Sequence, residues 1–122
     1  MPAADSNKST AILLRGIGGH YLLHSHQDNF QGLAMLRGIL RLENVRPLPG
    51  DKAVYGPSDD PDIPYVIEEI LPRKSFLARP GIANLDLVLI TISASRPRPD
   101  LKMVDRLIAM SHTHDIDVIL LI

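Results

Sequence analysis

The sequence predicts a small all-β barrel followed by the start of an α/β unit, and three observations carry that expectation. Nine of the ten prolines fall between positions 47 and 99. Proline neither donates to a strand ladder nor continues a helix, so that window reads as strands broken by turns. Short apolar segments separated by Gly, Asp-Asn and Pro-Gly signals recur from residue 12 to residue 72. Beyond residue 85 the pattern changes to long apolar runs on either side of a helical spacing.

Taken in order, Ile12 and Leu14 alternate before Gly16-Ile17-Gly18-Gly19, and Tyr21-Leu22-Leu23 follows, which reads as strand, tight turn and strand. Asp28-Asn29 marks the next turn. Leu33 to Leu40 is expected as a third strand, interrupted by Gly38 at a bulge or sharp bend. Pro49-Gly50-Asp51 turns the chain into a fourth strand from Lys52 to Tyr55. After an acidic loop from Gly56 to Asp62, a fifth strand runs from about Tyr65 to Leu71. Five short strands with a bend in the third suggest a five-stranded barrel of the oligonucleotide-binding (OB) type. Periodicity alone does not separate that from an SH3-like barrel.

Residues 73–84 contain Arg-Pro-Gly and no clear period, and they read as a linker. Leu85 to Ile92 is a nearly continuous apolar run of branched side chains, the pattern of a strand buried on both faces. Asp100 can cap a helix after the Arg96-Pro97-Arg98-Pro99 loop, with Leu101, Val104, Leu107 and Ile108 at helical spacing through about Ser111. Asp117 to Ile122 is a second apolar strand. Strand, helix and strand make one βαβ unit, whose strands are expected parallel with a right-handed crossover. The expected organisation is a disordered tail over residues 1–11, a barrel over 12–72, a linker over 73–84 and an α/β start over 85–122. Parallel strands require cover on both faces, and a single helix covers one. The chain is therefore expected to be the N-terminal part of a longer protein, or a product that leans on a partner.

Composition excludes several classes. With 122 residues, 45% hydrophobic and 22% charged, the chain sits in the ordinary globular range. It has no Cys, which removes disulfides, thiol nucleophiles and Cys-ligated zinc from this stretch. The longest run without Asp, Glu, Lys or Arg, residues 16–27, holds three His and is too short and polar to cross a membrane, so no membrane partner is expected. The first ten residues are polar, with no apolar core behind a basic start, and a cytoplasmic location is expected.

Charge is zoned even though the net is −1. Residues 59–69 carry Asp59, Asp60, Asp62, Glu68 and Glu69 and no base, while residues 73–106 carry seven bases against three acids. The glycine-rich Gly16–Gly19 segment lacks the Lys-Ser/Thr of a phosphate loop and opens no helix, so it reads as a strand-to-strand turn. His24-x-His26 and His112-x-His114 each lack a third ligand at metal spacing, and no metal site is expected. The acids of residues 59–69 follow no calcium-loop pattern and read as a solvated loop. Arg37, Arg41 and Arg46 cluster in the middle of the barrel segment, Arg15 precedes its first turn, and Arg73-Lys74 closes it. Barrels of this type bind nucleic acid with cations on phosphates and aromatics under bases. Aromatics are scarce here, which favours shape and phosphate contact with folded RNA over reading of a single strand. Composition alone leaves RNA contact and an ordinary solvated surface both open.

A longer series of residues narrows this. Leu36-Arg37-Gly38-Ile39-Leu40-Arg41, then Val45-Arg46-Pro47-Leu48-Pro49-Gly50-Asp51, then Ile70-Leu71-Pro72-Arg73-Lys74-Ser75, Arg79-Pro80 and Ala83-Asn84-Leu85-Asp86 are similar to the ribosome small-subunit-dependent GTPase A family. The Gly16 to Leu23 stretch, and Pro99-Asp100-Leu101 with Asp105-Arg106, resemble it too. The resemblance extends over residues 12–122, and Leu87 stands where the family usually carries Gln.

The resemblance implies an OB barrel, a circularly permuted GTPase domain and a zinc-binding domain, acting late in small-subunit maturation with the barrel on ribosomal RNA near the decoding region. In the permuted order the guanine-specificity motif Asn-Lys-x-Asp follows the strand corresponding to Val118–Ile122. The GTP, Mg²⁺ and Zn²⁺ of the full-length family would be bound by motifs that do not occur in residues 1–122. The resemblance thus implies no cofactor in this chain, no catalytic residue, and a partner in the small subunit, its rRNA and the remainder of the GTPase. Its RNA contacts are expected at Arg37, Arg41, Arg46 and Arg73, then at Arg15 and Lys74. The alternative is a free-standing OB-fold RNA-binding adaptor, or a truncated relic without activity. Phosphoryl transfer to water needs a phosphate cradle, Mg²⁺ and a positioned water. The purified 122-residue chain is accordingly expected neither to bind nor to hydrolyse GTP, and measurable turnover in a phosphate-release assay contradicts that expectation.

Overall fold

The computed structural model describes residues 9–122, which fall into two compact units, one ending at Arg73 and the other spanning Lys74–Ile122. The first is a closed barrel of β1 (Ser9–Ile17), β2 (His20–Ser25), β3 (Phe30–Leu36), β4 (Lys52–Pro57) and β5 (Tyr65–Ile70) in the order β1-β2-β3-β5-β4. All neighbours are antiparallel except β3 and β5, which are parallel. This order selects the OB-type barrel of the two that periodicity allowed. The strand β1 starts at Ser9, inside the stretch expected as a tail, and the remainder of that tail, residues 1–8, lies outside the described residues.

Register fixes how the barrel closes. Gly16 faces Tyr21, Tyr21 faces Ala34, Ala34 faces Tyr65 and Tyr65 faces Pro57. Ser9, seven positions before Gly16 on β1, already faces Tyr55, so the strands are steeply tilted, as a closed barrel of few strands requires. Slips in register at Leu13/Arg15 and Val54/Tyr55 supply the local bends. Leu13, Leu23, Ala34, Ala53 and Ile67 fill the interior at 1% exposure or less.

Two structural differences from the sequence reading have physical causes. The third strand ends at Leu36, and the chain enters a short helix α1 (Gly38–Leu42) where strand had been expected. Leu36 and Leu40 are both core residues, and a spacing of four satisfies either two strand repeats or one helical turn. The barrel mouth decides for the helix: Arg37 N donates to Ile67 O as the last inter-strand bond, and α1 then drives Leu40 into the core. Gly38 opens this helix and makes no bulge.

The barrel has two ends of different chemistry. Strand direction places the β1–β2 turn, α1, the loop to β4 and the exit from β5 at one end, and the β2–β3 turn and β4–β5 loop at the other. At the second end Phe30, Tyr55 and Tyr65 pack with ring centroids 5.1–5.4 Å apart. Burial, with Asp28 nearby, raises the Tyr55 phenol above its ordinary value. The Tyr65 ring also packs against Gly32.

The second unit begins with a minimal hairpin, β6 (Phe76–Leu77) with β7 (Ile82–Ala83), where a linker had been expected. Two-residue strands are too short to show a period, but Leu77 and Ala83 are buried and Asn84 N donates to Ser75 O at 2.7 Å. Then β8 (Leu87–Thr91) pairs in parallel with β9 (Asp117–Leu121), and α2 (Leu101–Thr113) crosses between them. Asp100 caps α2 by accepting from Lys102 N and Met103 N. Ile90 and Val104 are buried, whereas Leu87 and Leu89 on β8 and Ile119 and Leu121 on β9 are each about half exposed. This parallel sheet has one apolar face open among the described residues.

A Cβ at position 32 would lie 2.5 Å from Tyr65 Cε2. That ring is held by Phe30 and Tyr55, so Gly32→Ala is expected to destabilise the barrel by about 1–3 kcal/mol in urea denaturation.

Candidate nucleic-acid interface

The end of the barrel that carries α1 is the basic one. Arg15 lies on β1 just after the register slip, opposite Leu22. Arg37 is the N-cap residue of α1, Arg41 sits in its last turn, and Arg46 lies in the loop that follows. All four side chains belong to exposed residues, and among the described residues none forms an ion pair. Glu43 is their one acidic neighbour along the α1 segment. Topology thus gathers at one end four cations that are spread over 32 positions from 15 to 46 in the sequence.

The opposite end carries Asp28 in the β2–β3 turn and Asp59, Asp60 and Asp62 in the β4–β5 loop. There Asp60 N donates to Ser58 Oγ, and Asp60 Oδ1 accepts from Asp62 N at 2.8 Å, so the acids build their own turn. The resulting polarity draws a polyanion to the α1 end and repels it from the other. Of the aromatic side chains that could stack on bases, Phe30, Tyr55 and Tyr65 pack with the core at the acidic end, and Tyr21, beside the β1–β2 turn at the basic end, is half-buried against the core. Phosphate contact by arginine is the chemistry left to this surface.

Arg73 is placed differently from the other arginines. Its Nε donates to Asp51 Oδ1 at 2.8 Å and its Nη2 donates to Asp51 Oδ2 at 2.9 Å, a two-pronged pair with a carboxylate of 0% exposure. Nη2 also donates to the Arg46 carbonyl at 3.1 Å. The hydrogen bond to Asp51 raises the Arg73 pKa above its ordinary value and outweighs burial. Its charge is thus committed to Asp51. Lys74 belongs to the second unit, where its ammonium pairs with Asp86 and its backbone N donates to Asn84 Oδ1 at 2.9 Å. Sequence reasoning missed Asp51 and read it as the last residue of a Pro-Gly-Asp turn. The available signal was a charged residue at the junction of that turn with an apolar strand.

The histidines form no larger constellation. His24 Nε2 and His26 Nδ1 are 3.3 Å apart with their rings edge to face, and His114 packs against Phe76 at 5.2 Å. Among the described residues no three His, Cys, Asp or Glu come together as a metal group.

Comparison with known proteins adds an independent line. The chain is 37% identical over 109 residues to the small ribosomal subunit biogenesis GTPase RsgA of Ruminiclostridium cellulolyticum, covering 89% of this chain and 36% of that protein. It is 36% identical over 108 residues to RsgA of Moorella thermoacetica, covering 88% and 36%. Among solved structures, YloQ, a circularly permuted GTPase, superposes with a TM-score of 0.75 at 26% identity, over 94% of this chain and 40% of that one. YjeQ from Thermotoga maritima gives 0.77 at 23% identity, over 93% and 40%, a likeness of fold. No family model matches the chain. The chain spans well under half the length of the curated relatives it matches, and the match falls in their N-terminal part.

Proposed function

Since the chain belongs to the small ribosomal subunit biogenesis GTPase family, whose N-terminal part it matches, we propose that its barrel binds small-subunit ribosomal RNA through the α1 end. The observation that carries this reading is the segregation of charge. Arg15, Arg37, Arg41 and Arg46, with no ion pair among the described residues, stand at one end of a barrel whose other end is lined by Asp28, Asp59, Asp60 and Asp62. Each arginine that meets a phosphate releases counterions, so affinity falls with salt in proportion to the number of contacts. With one half-buried tyrosine, Tyr21, at that end of the barrel, base stacking is a minor contribution and the RNA it suits is folded and recognised by shape and backbone.

In the same reading the β8–α2–β9 unit is the opening of the permuted GTPase domain. GTP, Mg²⁺ and Zn²⁺ are then ligands of the full-length family protein, which works on the small subunit in the cytoplasm. No helix of the described residues is long and apolar enough to cross a membrane. Arg73 and Lys74, expected from sequence among the RNA contacts, are left out of this interface because both are engaged with acids.

Binding to small-subunit rRNA, followed by filter retention from low to high salt, tests the reading. The triple variant Arg37→Gln, Arg41→Gln, Arg46→Gln is expected to flatten the slope of log K against log salt by about two to three units. An unchanged slope means these arginines are only surface.

A further inference from the structure

We infer that Arg73 and Asp51 are positioning residues that fix the loop between α1 and β4 and thereby hold Arg46 in place for RNA. The inference rests on the RNA-binding reading for its consequence, and on the hydrogen bonds of the loop for its substance.

The loop has few ties of its own. Residues 46–51 read Arg-Pro-Leu-Pro-Gly-Asp, and two of the six lack a backbone N–H. Gly50 takes φ +92°, a conformation that side-chain-bearing residues rarely adopt. What organises the segment is the buried carboxylate: Asp51 Oδ2 accepts from Leu48 N at 2.7 Å, and Asp51 N donates back to Leu48 O at 3.0 Å. Gly50 N donates to Leu13 O, and Leu13 N donates to Asp51 O, both at 2.8 Å, which fastens the end of the loop to β1. Its start is tied by the Arg46 carbonyl, which accepts from Arg73 Nη2.

One guanidinium therefore joins both ends of the loop. Its Nε and Nη2 grip the carboxylate at the end of the loop, while the same Nη2 reaches the carbonyl at its beginning. A lysine could not reproduce this, because an ammonium is a point charge and the planar fork of arginine matches a carboxylate at two points. Arg73 directly follows Leu71-Pro72, and Leu71 N donates to Lys52 O at 2.8 Å, so the guanidinium is itself presented from a fixed backbone. The Arg46 side chain leaves from the one residue whose carbonyl is held in this way. Arg73 thus acts on RNA through Arg46 and does not touch it.

Two measurements on the full chain separate this from direct contact. In amide hydrogen exchange by NMR, Arg73→Gln should speed exchange at Leu48 and Gly50 by about tenfold or more, while Leu23 and Ile67 in the barrel ladders stay protected. Arg73→Lys should do the same, and it carries the test should Arg73→Gln unfold the barrel. Equal protection of Leu48 and Gly50 in these variants overturns the inference. In salt-dependent binding to small-subunit rRNA, Arg46→Gln should lower the slope by about one unit, and adding Arg73→Gln or Arg73→Lys should lower it no further. A second unit lost on adding Arg73→Gln shows that Arg73 meets a phosphate itself and overturns the inference. No change on Arg46→Gln removes Arg46 from the interface and counts against the RNA reading, while the exchange rates still decide whether Arg73 fixes the loop.

Discussion

A carboxylate sealed from water at the head of β4 is the constraint on which the basic end of this protein depends. Asp51 cannot be left charged and unpaired inside the barrel wall, since removing the partner of a buried ion pair costs about 3–5 kcal/mol in general. Its partner comes from the chain leaving β5, which passes beside β4 at this end. The fork of Arg73 meets the need, and in doing so it joins β4, the loop behind α1 and the exit from the barrel. The pair is partly open to solvent on the Arg73 side, at 31% exposure, so its worth lies in specifying geometry more than in adding stability.

The charge on the rest of the barrel follows a division that the fold enforces. Antiparallel strands send alternate connections to opposite ends, and here the exposed arginines gather at one end and the acids Asp28, Asp59, Asp60 and Asp62 in the connections of the other. Arg15 on β1 and Arg46 behind α1 are distant in sequence and share an end because β1 runs toward α1. The acids of the β4–β5 loop are held in a self-made turn, which keeps them away from the basic end. A chain of net charge −1 can in this way present a cationic surface.

Much of the fold was legible in the residues, for identifiable reasons. The turns at Gly18-Gly19, Asn29 and Gly50 declare themselves through residue types that tolerate positive φ, and all adopt it. The strands β8 and β9 and the Asp100 cap read directly from apolar runs and a polar stop. The helix α1 was hidden because Leu36 and Leu40 suit two periods at once, and the β6–β7 hairpin because two residues carry no period. At the site, Arg37, Arg41 and Arg46 could be grouped by proximity in sequence. The partner of Arg73 could not, since Asp51 and Arg73 stand 22 positions apart with no local signal, and only barrel closure brings them together.

The central claim is one of orientation, with the α1 end facing the RNA. Because the chain has no Cys, single cysteines at position 41 or position 60 can carry a tethered iron chelate without competing labels. Hydroxyl-radical cleavage of small-subunit rRNA from each position tests the claim most directly. The account predicts strand scission from the chelate at position 41 and little or none from position 60. Cleavage as strong from position 60, or from that position alone, would contradict it.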